Sequence, residues 1–384
     1  MVFSLLKGMF EEGVGTAWDE LVQWNYSKER DLAQGIACYH RLWQKVVERQ
    51  EFTRHPQVGT GLQDYWLEQL LDDANPFHRK AELAPFSHVS PSLAQAYENE
   101  LKGFLRDIVD VDWEGELAPL YKKLGLPLPS FKDMRGLDRL EPLPPQLEER
   151  RKIKERLLTA VSPAIVKDMA AFFHRNGLGL FGRYRAFRWQ VDGAGHGRLV
   201  GVEAVDPIRL ENLIGYDEQR KPLIENIEAF VAGKGANNVL IYGERGTGKS
   251  STVKALLNAY QEKGLRLVEV HPSQLNEYQE ILPFLRGRPE KFILFVDDLS
   301  FEENETSYKG LKALLEGTVE AAPKNVILIA TSNRRHLIRE FFDDRKEGIQ
   351  NEGEIHGADT VEEKLSLSDR FGLVISFYSP DQET

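Results

Sequence analysis

The sequence predicts an α/β fold in which a five-stranded parallel sheet follows a mainly α-helical N-terminal region and a β-hairpin. Beyond residue 207, short apolar runs alternate with helix-length segments, and strands that are apolar throughout are typical of a parallel sheet covered on both faces. Before residue 186, apolar side chains instead recur at helical intervals. Between these regions, FRWQV and RLVGVEAV flank DGAGHG, the pattern of a hairpin with a glycine-containing loop. The five apolar runs are NVLIYG, LRLVEV, FILFVDD, NVILIATSN and LVISFY.

The domain organisation follows from the length and from these patterns. A chain of 384 residues is long for a single domain, which usually spans about 100 to 200 residues. We predict a mainly helical domain at 1–185, a hairpin linker at 186–206 and a sheet-containing domain at 207–384. Prolines clustered near residues 127–145 predict an extended connector at about 126–146 within the helical domain.

Helical periodicity accounts for most of the first domain. The aromatic side chains that follow this periodicity are expected in its core rather than in a ligand site. Helices are predicted at 16–51, 62–73, 91–108, 117–124 and 146–175, with Pro163 starting the second of two helices in the last segment.

Composition excludes some classes of function. The net charge of −11 does not supply the positive field that non-specific nucleic-acid binding uses. A basic segment is nevertheless present, because residues 150–206 hold 11 Lys and Arg against 5 Asp and Glu. The single cysteine, Cys38, cannot form an intramolecular disulfide, and no apolar run approaches the roughly 18 to 20 residues of a membrane-spanning helix. We therefore expect a cytoplasmic protein that makes no contact with a membrane.

The strongest motif is GERGTGKS at Gly243–Ser250, which fits the phosphate-binding pattern G-x-x-x-x-G-K-[ST]. An apolar strand enters it and a helix leaves it, so backbone N–H groups can converge on phosphate oxygens; a chance glycine-rich turn would lack this context. Lys249 is expected to contact the β and γ phosphates of ATP, and the Ser250 hydroxyl is expected to hold Mg²⁺. The candidate nucleotide contacts are Gly243, Glu244, Arg245, Gly246, Thr247, Gly248, Lys249, Ser250 and Ser251.

Acidic and polar side chains follow two other predicted strands. FILFVDD ends in Asp297, a candidate Mg²⁺ ligand, and Asp298, a candidate to orient or deprotonate the attacking water. Asn333 follows NVILIATSN, and strand carboxyl ends gather at one edge of a parallel sheet, so it is a candidate γ-phosphate sensor. The alternative for each is an ordinary strand-ending turn.

Arg370 stands immediately before the last predicted strand. An arginine that one subunit presents to the γ phosphate of another stabilises transition-state charge. We therefore consider Arg370 a candidate arginine finger, and an internal salt bridge with Asp369 is the alternative.

These motifs, in this order, resemble an AAA+ ATPase. The segments LIGYDEQ, GERGTGKSS, ILFVDDLSF, ATSNRRHL and KLSLSDRFGL are similar to the bacterial AAA+ family catalogued only as a domain of unknown function. The resemblance implies Walker A and B motifs, a P-loop NTPase core that uses ATP with Mg²⁺, and assembly into a homo-oligomeric ring or spiral such as a hexamer. It also implies that Ile214 and Gly215 contact the adenine.

The sequence departs from the AAA+ pattern at two places. Asp298 occupies a position where many AAA+ proteins have Glu. FYSPDQET ends the chain where a helical lid normally begins, so the lid and its second arginine are expected to be missing or truncated.

Two classes of function fit the sequence. The first is an AAA+ ATPase that couples hydrolysis at subunit interfaces to remodelling of a protein or nucleoprotein partner, recognised by the helical domain. The second is a nucleotide-dependent binding or switch module with little turnover, in which the basic segment at 150–198 contacts nucleic acid. Docking of that basic segment onto acidic protein surface is the alternative to nucleic-acid contact.

Overall fold

A computed structural model describes residues 3–11, 13–137, 144–159, 162–299, 315, 323–333 and 371–377. The chain divides into two compact units, Met1–Arg183 and Tyr184–Thr384. The first unit is helical and the second contains the sheet. No helix in the described ranges combines the length and the apolar character that crossing a bilayer requires.

The described part of the first unit is built from helices of 5 to 19 residues. Helix starts carry the residue types expected there: Thr60 forms a capping box with Gln63, and Asn75 and Ser90 cap helices that open with proline. The bounds are α1 Val14–Tyr26, α2 Leu32–Gln50, α3 Gly61–Asp72, α4 Pro76–Leu83, α5 Pro91–Phe104, α6 Trp113–Leu124, α7 Pro145–Thr159, α8 Pro163–Asn176 and α9 Gly179–Arg183.

Most predicted helices are present, with differences at their ends. The segment predicted at 16–51 is two helices, α1 and α2, because the side chain of Asp31 caps a new helix start. The segment predicted at 91–108 is α5 followed by a π-helical turn at Leu105–Val109. Pro163 starts α8 as predicted. Helix α4 was not predicted, because its eight residues are too few to show a periodicity.

The proline-containing segment after α6 packs within the helical unit. The Tyr39 hydroxyl donates to the carbonyl oxygen of Pro129 at 2.6 Å, and the Trp43 indole Nε1 donates to that of Ser130 at 2.9 Å. The carboxylate of Glu114 accepts from the backbone N–H of Phe131 at 2.7 Å. Side chains of α2 and α6 therefore fix the described part of the connector against the helices.

The second unit is built on a seven-stranded sheet with the order β2-β1-β4-β5-β6-β3-β7. The five strands predicted from the apolar runs, β3 to β7, pair in parallel, which confirms the predicted fold class. The bounds are β1 Ala186–Val191, β2 Gly197–Gly201, β3 Val239–Gly243, β4 Leu265–Glu269, β5 Lys291–Val296, β6 Val326–Ser332 and β7 Leu373–Phe377; the helices are α10 Asp217–Val231, α11 Lys249–Tyr260 and α12 Tyr278–Leu285.

The hairpin differs from the interpretation as a separate linker. Strand β1 pairs antiparallel with β2 and parallel with β4, so the hairpin extends the sheet of the second unit. Phe187 and Trp189 of β1 are 0% and 3% exposed. Burial of these two aromatic side chains stabilises the strand in the sheet. Sequence periodicity identifies such a hairpin but does not tell which strand it joins.

Candidate functional site

The loop between β3 and α11 has a backbone that requires glycine. Gly246 and Gly248 have φ angles of 80° and 84°, a left-handed region that glycine adopts without strain. Gly243 lies so close to β7 that an added Cβ would be 1.9 Å from the carbonyl oxygen of Phe377. No side chain of the described residues caps the first turn of α11. Its first N–H groups therefore face the loop in the arrangement that binds anions such as phosphate.

Lys249, the first residue of α11, is buried at this loop. Its Nζ donates to the carbonyl oxygens of Gly243 at 2.9 Å and Glu244 at 2.7 Å. Burial lowers the pKa of Lys249, whereas the charges of Asp298 and Asp297 raise it. The ammonium group is thus held inside the curve of the loop by neutral oxygens.

The other predicted nucleotide contacts lie on the same loop and helix turn. The Thr247 hydroxyl donates to the carbonyl oxygen of Glu244 at 2.9 Å, which closes the middle of the loop. Arg245 is exposed, and Ser251 is half-buried in the first turn of α11.

Asp297, directly after β5, is connected to two other elements. Its Oδ1 accepts from the Ser250 hydroxyl of α11 at 2.6 Å and from the Thr331 hydroxyl of β6. Thr331 is 1% exposed, so its hydroxyl lies inside the sheet edge. Three neighbouring elements therefore orient one carboxylate toward the loop.

Asp298 has an unusual backbone conformation and a fixed side chain. Its φ of 53° is left-handed, a region that Asp tolerates better than most side chains. Its backbone N–H donates to the Thr331 hydroxyl at 2.9 Å, and its Oδ1 accepts from the Asn333 side chain. The structure thus brings together Ser250, Asp297, Asp298 and Asn333, as the strand order predicts.

The predicted adenine segment is connected to the loop through β7. Tyr216, also left-handed with a φ of 59°, stacks on Phe377 at a ring distance of 5.0 Å. Phe377 pairs with Gly243, the first residue of the loop. Ile214 is 96% exposed, and Gly215 has a φ of 72°. An apolar side chain this exposed is free to contact a base.

Two residues that contact the predicted site, Thr331 and Tyr216, were not predicted from the sequence. Thr331 stands in a strand that is otherwise almost wholly apolar, two residues before Asn333 and therefore on the same face. That polar exception was the available signal. Tyr216 adjoins the predicted contact Gly215, but its stacking on Phe377 depends on a residue distant in sequence. Arg370, the predicted arginine finger, lies outside the described residues.

The oxygen atoms at this site suit Mg²⁺. Ser250 and Asp297 supply a hydroxyl and a carboxylate, both hard oxygen ligands, and Mg²⁺ bound to a nucleotide usually takes one or two protein ligands plus phosphates and waters. Within the described ranges, no group of three or more His, Cys, Asp or Glu side chains forms a metal cluster.

The cationic and aromatic side chains at 183–189 in the basic segment are mostly buried or paired with acids. Arg185 and Trp189 are 4% and 3% exposed, so neither is available to stack on a base or contact a phosphate. Arg183 forms ion pairs with acids of α3, and Arg188 pairs with Glu269 of β4 at 2.7 Å. These contacts favour acidic protein groups over nucleic acid as the partners of the segment.

Comparison with known proteins identifies the family to which the sheet-containing unit is similar. Residues 182–384 match a family described as "Protein of unknown function (DUF815)". An AAA-ATPase of Arabidopsis thaliana is 24% identical over 225 residues, which are 50% of this chain and 46% of that protein. The large subunit of replication factor C from Staphylothermus marinus is 33% identical over 85 residues, which are 22% of this chain and 19% of that protein. The chain thus spans less than half the length of these curated relatives.

A solved structure is also similar. The RuvB Holliday junction branch migration motor of Thermotoga maritima matches 45% of this chain and 48% of its own, with 19% identity and a TM-score of 0.27. The family match covers the loop, both aspartates and Asn333.

Proposed function

Since this chain belongs to the DUF815 family, and its matching residues 182–384 carry the core of an AAA+ ATPase, we propose that it binds ATP with Mg²⁺ and hydrolyses it. We further propose that hydrolysis at subunit interfaces remodels a protein or nucleoprotein partner that the helical unit recognises. One observation carries the proposal: the Ser250 hydroxyl contacts Asp297 at 2.6 Å, beside Asp298 and its partner Asn333. Phosphate-binding and acidic groups therefore meet at one edge of the sheet.

The loop would bind the phosphates of ATP. Its glycines leave room for the phosphates to approach the backbone, and the N-terminus of α11 favours negative charge. Lys249 would exchange its contacts with Gly243 and Glu244 for phosphate oxygens. Ile214 and Gly215 would contact the adenine.

Ser250 and Asp297 would hold the metal ion. Bound Mg²⁺ supplies neutralisation of charge that develops on the phosphate oxygens. Thr331 would keep the Asp297 carboxylate in the orientation that this role needs.

Asp298 would orient the attacking water and accept its proton. The side chain of Asn333 holds one carboxylate oxygen of Asp298, so the other oxygen is the acceptor available to a water. Asn333 would also respond to the γ phosphate from this position.

A positive charge from a neighbouring subunit would complete the site. We propose that the chain forms a homo-oligomeric ring or spiral in which Arg370 approaches the γ phosphate bound by the adjacent copy. A finger of this kind makes hydrolysis depend on assembly.

The direct test is steady-state ATP hydrolysis with Mg²⁺ by the wild type and by Lys249→Ala, Asp298→Asn and Arg370→Ala. Each substitution is expected to lower the rate by about 100-fold or more, because each removes a group that acts on transition-state charge or on the water. Asp298→Asn and Arg370→Ala should still bind ATP, whereas Lys249→Ala should bind it weakly. Lys254→Ala is the matched control, since Lys254 lies on the same helix and pairs with Asp206 at 3.6 Å.

The results separate the two functions. A wild-type rate of ATP hydrolysis no higher than that of Lys249→Ala would refute the proposed ATPase activity. If the wild type then still bound ATP tightly, the nucleotide-dependent switch with little turnover would take its place.

A further inference from the structure

A cleft of about 740 Å³ opens on the helical unit. It falls within the range of about 300 to 1,000 Å³ that is typical of ligand-binding sites. Its floor is formed by Trp18, Ile108 and Trp113, each no more than 5% exposed. Trp18 packs edge-on against Trp113 with ring centroids 5.5 Å apart, so the floor is rigid and aromatic.

One wall of the cleft is the N-terminal segment, which Glu100 holds in place. The carboxylate of Glu100 accepts from three successive backbone N–H groups, those of Ser4, Leu5 and Leu6, at 2.9 to 3.1 Å. Next to this clamp, Phe3 and Phe10 stack with their rings 5.5 Å apart, and both line the cleft. The wall is therefore ordered by a specific set of contacts.

The opposite side includes the π-helical turn at Leu105–Val109, which supplies Asp107 and Ile108 to the cleft. Turns of this type are rare in proteins as a whole, and those that occur are often found at functional sites. The indole Nε1–H of Trp113 is buried and has no hydrogen-bond partner among the described residues. A buried donor without a partner costs roughly 1 to 3 kcal/mol.

The rim of the cleft carries an excess of acid. Glu11, Asp19 and Glu116 are exposed there, and the cation Lys7 offsets only one of them. The other acid and base of the rim, Asp107 and Arg106, pair with each other. Burial raises the pKa of Asp19, because part of this carboxylate is shielded from water. An apolar floor with an acidic rim complements a ligand that is both apolar and positively charged.

We propose that this cleft binds a polypeptide segment in which an aromatic or aliphatic anchor stands next to Lys or Arg. The anchor packs on the floor formed by Trp18, Ile108 and Trp113. The basic residue pairs with Asp19 and Glu116 at the rim. Tyr26, 82% exposed at the same rim, extends the apolar contact surface. This inference rests on the proposed function, since it identifies the kind of segment by which the helical unit recognises its partner.

The test is selection of a random phage-displayed peptide library on the full chain, followed by affinity measurement with the selected peptides made synthetically. We expect an apolar anchor beside Lys or Arg in the selected sequences. Affinity should fall at least about tenfold in the double variant Asp19→Lys/Glu116→Lys, since both rim charges are reversed. The control is Glu48→Lys/Asp133→Lys, which changes the net charge equally at exposed positions outside the cleft.

A second readout locates the peptide. With 5-fluorotryptophan in place of tryptophan, the ¹⁹F signals of Trp18 and Trp113 should shift on peptide addition, while that of Trp189 in the sheet-containing unit should not. Selection of acidic peptides, equal binding by the cleft variant, or shifts away from Trp18 and Trp113 would each overturn the proposal.

The same measurements on Lys249→Ala keep the two proposals apart. Peptide binding should survive in this variant, because the cleft lies wholly within the helical unit. ATP hydrolysis without peptide binding would refute only the cleft, and peptide binding without hydrolysis would refute only the ATPase.

Discussion

Lys154 in the helical unit and Lys249 in the sheet-containing unit are both buried lysines, 1% and 5% exposed, with opposite surroundings. The Nζ of Lys154 contacts carboxylates of Asp64 at 2.6 Å and Glu68 at 2.7 Å, and donates to the carbonyl oxygen of Pro56 at 2.9 Å. The Nζ of Lys249 donates to two carbonyl oxygens, and it makes no ion pair with a described residue.

The difference distinguishes a structural charge from one at the candidate functional site. Three protein acceptors match the three N–H groups of Lys154, and two of those acceptors carry negative charge. The direct partners of Lys249 are neutral oxygens, and the charges of Asp297 and Asp298 act on it without a direct ion pair among the described residues, so an anionic ligand can gain from replacing those oxygens. Burial of a lysine alone does not indicate a ligand site. The charge of the groups that contact it is the informative property.

The largest effect on folding is expected from Lys154→Ala. This substitution leaves the buried Asp64 carboxylate without the cation that pairs with it, whereas Glu68 keeps its ion pairs with Arg150 and Arg183. The free energy of unfolding should therefore fall by about 3 to 5 kcal/mol. Urea denaturation followed by tryptophan fluorescence measures the change. Lys152→Ala is the control, because its side chain is 55% exposed and its pairs with Glu148 and Glu149 contribute at most about 1 kcal/mol.

Lys249→Ala completes that comparison, because it should leave the unfolding free energy within about 1 kcal/mol of the wild type. Loss of stability at Lys249 as large as that at Lys154 would contradict the distinction between the two lysines.

A smaller effect is expected from Thr331→Val, which preserves shape but removes the hydroxyl that joins Asp297 to the backbone of Asp298. The ATPase rate should fall roughly ten- to hundredfold, and half-maximal activity should require more Mg²⁺, because the carboxylate loses its orientation. Titration of the rate with Mg²⁺ tests this. Ser332→Ala removes the neighbouring hydroxyl, which donates to the carbonyl oxygen of Leu299. An equal loss in this variant would argue against a positioning role for Thr331.

Stability of the helical unit is also expected to depend on pH, with a small change per pH unit. Burial lowers the pKa of His78 from 6.5 to about 3, and its Nε2 contacts the Tyr97 hydroxyl at 2.7 Å. Because the unfolded chain takes up a proton below pH 6.5 and the folded chain does not, stability is complete above that pH. It should then decline by up to about 1.4 kcal/mol per pH unit as the pH falls toward 3.

Urea denaturation at several pH values below 6.5 measures this slope. His78→Gln should reduce it and exposed His88→Gln should not. An unchanged slope in His78→Gln would assign the pH dependence to other groups.

Much of the site could be predicted because its parts are local in sequence or follow from strand order. The loop pattern lies within eight residues and folds between one strand and one helix, which places Lys249 and Ser250 without knowledge of distant contacts. Asp297 and Asn333 were predictable at the same edge because parallel strands present their carboxyl ends together. Thr331 and Tyr216 were not predicted, because their roles depend on side chains that the fold brings from other elements.

The same limit applies outside the site. Periodicity predicted most helices of the first unit and the hairpin, but it could not show that β1 pairs with β4 or that the proline-containing segment packs on Tyr39 and Trp43. Alternation and periodicity record which face of an element is buried, and they carry no record of the neighbour that buries it.

By itself, therefore, the sequence determined the class of the fold and the residues of the candidate nucleotide site, since short-range spacing and apolar runs are sufficient for both. Only the tertiary structure decided which charges are compensated. Lys154 and Lys249 are the same residue type in helical segments, and their partners come from residues 56–68 in one case and from the adjacent loop in the other. Long-range packing assigned one of them to stability and left the other's charge available to a phosphate.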